Sequence, residues 1–172
     1  MGRDADEQFR GWAESQRPGL RRTAFLLCGD WYLADDLVQE ALVRIFDAWP
    51  RVGSAPQLTH YSRRVLVNLY LDHRRRPARR ESPHSDLPDT EIPEHDPGTR
   101  EVLLQALRRV PPGQRAVLVL RFFDDMSVEQ AAEALGTTTG NVKSQTSRGL
   151  GALRGALADV GLTDAFDLQE QP

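Results

Sequence analysis

One stretch limits the fold more than any other: residues 127–154, "SVEQAAEALGTTTGNVKSQTSRGLGALR". Ser127 stands ahead of an apolar-periodic segment with Gln130 three residues on, a pairing that satisfies two backbone donors left open at a helix start. Val128, Ala131, Ala132 and Leu135 form one stripe, and its alanines let a second helix approach closely. Gly136 supplies the positive φ that ends the first helix and turns the chain. Thr138 is placed to cap the next helix. There Val142, Thr146, Leu150 and Leu153 share a side at ~100° per residue, while Asn141, Ser144 and Arg148 point the other way, flanked by Lys143, Gln145 and Ser147. The spacing predicts a helix-turn-helix. Its outward face holds hydrogen-bonding groups and cations without an acid, a surface that suits base edges and phosphates in a major groove. An ordinary helical hairpin with a solvated face is the plain alternative.

The rest of the chain also reads as helical. "DWYLADDLVQEALVRIFDAWP" carries apolar residues at Ala34, Leu37, Val38, Ala41, Leu42, Ile45, Phe46 and Trp49, one stripe in three–four spacing. Asp30 is the expected N-cap and Pro50 the expected stop. A weaker pattern runs from Phe9 to Cys28, punctuated by Pro18 and ended by Gly29. "PRVGSAPQLTH" reads as a loop, followed by a helix from about Tyr61 that ends at Pro77. Together these predict a first bundle of three or four helices.

Residues 82–98, "SPHSDLPDTEIPEHDPG", hold four prolines and five acids without periodicity, which predicts a linker. "REVLLQALRRV" and "QRAVLVLRFF" then add two helices ahead of the opening pair. Residues from about 158 are acidic and read as a frayed tail. The expected fold is all-α, two small helical modules joined by a flexible acidic linker: 5–80, linker 81–98, 99–157 and tail 158–172.

Charge is placed unevenly. The chain is acidic overall, with a formal net charge of −3. Yet "RRRPARR" packs Arg74, Arg75, Arg76, Arg79 and Arg80 together, a natural phosphate binder through counter-ion release. A basic helix end complementing the macrodipole accounts for one or two of these, not five. Arg64, Asn68 and Arg75 share a face on the same helix, and Tyr61 and Tyr70 are either stacking platforms or core. On the earlier helix Asp36, Gln39 and Glu40 fall together opposite the apolar stripe. That patch suits a basic or donor-rich protein surface, or simply water.

Other classes find little support. No apolar run approaches the roughly 20 residues needed to cross a bilayer, and "MGRDADEQFR" lacks an export signal, so a cytoplasmic location is expected. Cys28 is the one cysteine, which excludes an internal disulfide and reads as core rather than redox-active. His84, Asp86, Asp89, Glu94 and His95 lie in the proline-broken linker without a scaffold for a metal. No phosphate loop or catalytic triad appears. No cofactor, small-molecule substrate or catalytic activity is expected.

Four segments in order, "DWYLADDLVQEALVRIFDAW", "YSRRVLVNLYLDHRRR", "VPPGQRAVLVLRFFDDMSVEQAAEALG" and "GNVKSQTSRGLGALR", resemble the extracytoplasmic-function sigma factors of the sigma-70 family. The wording is nearest the SigE-like factors of actinobacteria. The resemblance implies a sigma factor that binds core RNA polymerase and recognises promoter −10 and −35 elements. It assigns Asp36, Gln39 and Glu40 to the β′ clamp helices, and Arg63, Arg64, Asn68, Arg74 and Arg75 to the −10 element. Asn68 becomes a base contact, with the 51–60 loop as the lid of a pocket for a flipped base. Thr139, Asn141, Lys143, Ser144, Ser147 and Arg148 fall to the −35 element, and the surface around Leu118 and Phe122 to the β flap. Many relatives are held by an anti-sigma factor, so such a partner is allowed. Thr137 and Thr138 depart from the family's usual apolar residue and serine, and Gly149 and Gly151 weaken the recognition helix by up to ~1 kcal/mol each. The rival reading is a stand-alone helix-turn-helix regulator, which predicts tight operator binding without polymerase.

Overall fold

The computed structural model describes residues 3–52, 55–76 and 97–159. Among these it is helical throughout: α1 (Arg3–Cys28), α2 (Trp31–Val52), α3 (Ala55–Arg75), α4 (Pro97–Arg109), α5 (Pro112–Leu118), a π-helical turn (Val119–Phe123), α6 (Val128–Leu135) and α7 (Thr139–Ala158). Most of the expected linker, Arg79 and Arg80, the five linker residues considered for a metal, and nearly all of the tail lie outside the described residues.

Helices α1 to α3 form the first bundle. The α2 stripe does the expected work, with Ala34, Leu37, Val38, Ala41 and Ile45 buried. Asp30 accepts from the Tyr32 backbone N–H at 2.8 Å and begins α2 as expected. Gly29, at φ +72°, ends α1. A second tie binds α1 to α2: Phe25 stacks on Trp31 at 4.0 Å between centroids, and Arg21 lies over the same indole while paired with Asp35 at 2.6 Å.

Three boundaries differ from the sequence expectation. Pro18 sits inside α1 without ending it, and the helix begins at Arg3. Pro18 is on an exposed face, where the carbonyl it leaves unbonded can take water. Helix α2 continues through Pro50 to Val52, and α3 already begins at Ala55, so the expected 50–60 loop is helical at every described residue. A proline in the first turn of a helix, as at Pro56, removes an N–H that would have had no partner.

Helices α4 to α7 form the second unit. Ser127 and Gln130 make the reciprocal capping box, Gly136 takes the left-handed conformation at φ 60°, and Thr138 caps α7. Val142 is fully buried and Leu153 nearly so. Gly149 has a packing reason: a Cβ there would come within 3.1 Å of the Leu118 side chain.

The two units do not stand apart. One continuous core runs from Leu20 and Leu66 in the first to Ala116, Leu120 and Val142 in the second. Helix α6 packs on α3, and the π turn meets α1. The two expected helical modules are both present and are closed on each other; residues 77–96, which join them, lie outside the described residues.

Candidate nucleic-acid and polymerase interface

On α2, Asp36, Gln39 and Glu40 are all exposed on the side away from the core. Glu40 pairs with Arg44 at 2.7 Å one turn on, in open solvent where such a pair contributes little. Tyr32 and Val43, 74% and 58% exposed, lie on the same helix. Tyr32, Asp36, Gln39 and Val43 fall on one side of α2, so the exposed carboxylate stands among uncovered apolar side chains.

The second cationic helix, α3, is presented differently. Arg64, Arg74 and Arg75 are exposed, Arg75 pairing loosely with Asp72. Arg63 and Asn68 are turned into the contact between the modules. The Arg63 Nε donates to Asp124 at 2.9 Å, and the two side chains are only 11% and 5% exposed. Thr23 of α1 donates to the same carboxylate at 3.0 Å. Asn68 Nδ2 donates to the Ala134 carbonyl of α6 at 3.3 Å. Burial pushes the Asp124 carboxyl pKa up, and the Arg63 guanidinium and Thr23 hydroxyl pull against that rise.

The turn that delivers Asp124 is tightly fixed. Asp124 caps the π turn through a bond to Val119 O, and Asp125 holds a left-handed φ of 51°. Arg121 donates to the Met126 carbonyl. At the far end of the same contact Arg115 donates to Leu27 O at 2.7 Å and Arg108 donates to Gly29 O. These arginines serve the last carbonyls of α1, whose final turn has no basic residue of its own. Burial lowers the Arg115 pKa; its two terminal nitrogens donate to three carbonyls, those of Leu27, Arg108 and Val110, while its Nε is buried without a partner.

On α7, by contrast, the reading face is free. Thr139, Asn141, Lys143, Ser147 and Arg148 are exposed and Ser144 half-exposed. Thr138 Oγ1 accepts from the Asn141 backbone N–H at 3.1 Å, and the Asn141 side chain donates to Thr137 Oγ1 at 2.9 Å.

Of four further expectations, those for the lid and for Leu118 change, while Tyr70 and Cys28 fall where the core reading put them. The 51–60 segment expected as a loop and lid is helical at its described residues, 51–52 and 55–60. Tyr70 is fully buried and belongs to the core, while Tyr61 is half-buried. Leu118 is 4% exposed beneath α7 and offers no flap surface, whereas Phe122 and Phe123 are 56% and 43% exposed. Cys28 is a spectator, its thiol pushed up to about 12 by burial. The residues that close the modules, Thr23, Arg108, Arg115 and Asp124, were not singled out from sequence. Thr23 and Asp124 lie 101 positions apart, so no local pattern announces the pair.

A closed helical molecule carrying a complete helix-turn-helix and an exposed acidic face on α2 has the form of a transcription-type DNA-binding protein. The family comparisons make that specific. Residues 12–80 match the model for sigma-70 region 2, and residues 100–153 match the model for sigma-70 region 4. The RNA polymerase sigma-E factor of Streptomyces avermitilis is 34% identical over 166 residues, covering 95% of this chain and 92% of that one. The ECF RNA polymerase sigma factor EcfG of Rhodopseudomonas palustris is 32% identical over 153 residues, covering 86% of this chain and 83% of that one. A solved sigma factor, RpoE from Bartonella quintana in complex with the anti-sigma factor NepR, matches with a TM-score of 0.68 at 23% identity, covering 91% of this chain and 98% of that one. The chain belongs to the sigma-70 family of RNA polymerase sigma factors, in its extracytoplasmic-function branch. The stand-alone regulator is not favoured.

Proposed function

We propose that this chain directs promoter-specific transcription initiation through three surfaces, used in order. Residues 5–80 carry the polymerase-binding and −10 functions, and 99–157 the −35 function. Asp36, Gln39 and Glu40 dock on the β′ clamp helices, with the exposed Tyr32 and Val43 beside them. Arg63, Arg64, Asn68, Arg74 and Arg75 serve the −10 element, and Thr139, Asn141, Lys143, Ser144, Ser147 and Arg148 the −35 element. The exposed Phe122 is the remaining candidate for the β flap. The chain acts in the cytoplasm, has no catalytic activity of its own, and is a target for an anti-sigma factor.

The observation that carries this reading is the exposed polar face of α7 behind a fully capped helix-turn-helix. A consequence follows from the closed contact. Arg63 and Asn68 are engaged by Asp124 and Ala134, so the modules must part before the −10 element is met. Polymerase, which holds the two promoter elements apart, supplies that separation.

Run-off transcription on genomic DNA with core polymerase tests the proposal. Start sites that require both components support it. Replacing Asp36 and Glu40 together with alanine removes those start sites while leaving the helical content unchanged; an unaffected double variant refutes the clamp assignment.

A further inference from the structure

The Asn141 side chain is held at both ends before any DNA arrives. Its backbone is fixed at the third position of α7 by the Thr138 cap. Its amide Nδ2 donates to Thr137 Oγ1, and Thr137 is itself pinned because its N–H bonds Ala132 O at 2.9 Å in the turn that ends α6. A capped N-terminus with Asn at this position ordinarily leaves the amide to choose among rotamers. Here the hydroxyl of Thr137 removes that choice, and the amide remains exposed.

We infer that Thr137 is a positioning residue for −35 specificity, and that it presets Asn141 to read an adenine. The inference rests on α7 being the −35 reader. With one amide hydrogen held by Thr137, Asn141 keeps its second hydrogen and its Oδ1 for an incoming base edge. Adenine offers the matching pair in the major groove, an N6 donor beside an N7 acceptor. Guanine offers two acceptors, cytosine a donor and thymine an acceptor with a methyl group, so each satisfies only part of the amide. In place of Thr137, a valine preserves the shape and the apolar contact common at such helix ends, and removes only the acceptor.

The test is transcription by holoenzyme, reconstituted from core polymerase and the full chain, on a promoter library randomised across the −35 element. Wild type selects adenine at one position. Asn141→Ala loses that preference by on the order of tenfold. Thr137→Val weakens it at the same position by about threefold or more and leaves other positions alone, while Thr137→Ser restores it. If Asn141→Ala flattens the preference and Thr137→Val does not, or if Thr137→Val merely lowers the melting temperature, the positioning role is overturned. If Asn141→Ala alters no position while wild type keeps its preferences, Asn141 reads no base and the inference falls; if wild type itself shows no preference anywhere in the −35 element, the assignment of α7 as the −35 reader fails instead.

Discussion

Helices α3 and α7 carry the two sets of residues proposed to meet DNA, and the closed molecule treats them oppositely. Arg63 and Asn68 on α3 are spent on the neighbouring module, whereas Asn141, Lys143, Ser147 and Arg148 on α7 face solvent. The difference leaves the two proposed DNA surfaces unequally available in the closed chain. A net charge of −3 spread over the surface is screened within about 10 Å at ordinary salt. A single buried carboxylate aimed at one guanidinium is not. Asp124 engages Arg63 of the proposed −10 set, while Arg64, Arg74 and Arg75 stay exposed.

The largest effect comes from removing that carboxylate. Asp124→Ala leaves Arg63 buried without its partner, a situation that costs about 3–5 kcal/mol in the closed form. The closed form gives way, and the full chain binds a single-stranded −10 oligonucleotide at least tenfold more tightly than wild type, measured by fluorescence anisotropy. Binding to −35 duplex stays the same. Equal gains on both ligands would erase the contrast between the helices.

Smaller effects separate packing from reading within α7. Gly149→Ala forces a Cβ against Leu118 at 3.1–3.3 Å and lowers stability by on the order of 1 kcal/mol. Gly151→Ala meets nothing within 4 Å and raises stability by up to ~1 kcal/mol. Urea unfolding reads both, and the opposite signs are the point. Arg148→Ala has the least effect: −35 binding weakens about uniformly across sequences, and the slope of affinity against salt falls by about 1.

What the sequence disclosed divides along the range of the interactions. The Ser127–Gln130 box, the Gly136 turn and the Thr138 and Asp30 caps are legible because each involves residues within a few positions. So are the α2 stripe and its outward carboxylates. Prolines misled the reading where they lie near helix ends. Pro56 falls in the first turn of α3, where a missing N–H costs little, and Pro50 in the last turn of α2, where it removes one helical bond with only two residues of helix left beyond it. The closure of the modules was illegible. It rests on Thr23–Asp124, Arg63–Asp124 and Arg115–Leu27, pairs 101, 61 and 88 positions apart, each of which looks like an ordinary surface residue in its own segment. Leu118 was taken for surface for the same reason: its cover, Gly149, comes from another helix.

The most direct test is the affinity of the wild-type chain for a single-stranded −10 oligonucleotide, measured with and without core polymerase. The closed contact predicts no measurable binding by the free chain and clear binding once polymerase is added. A free chain that grips the strand as tightly as the holoenzyme would contradict the account.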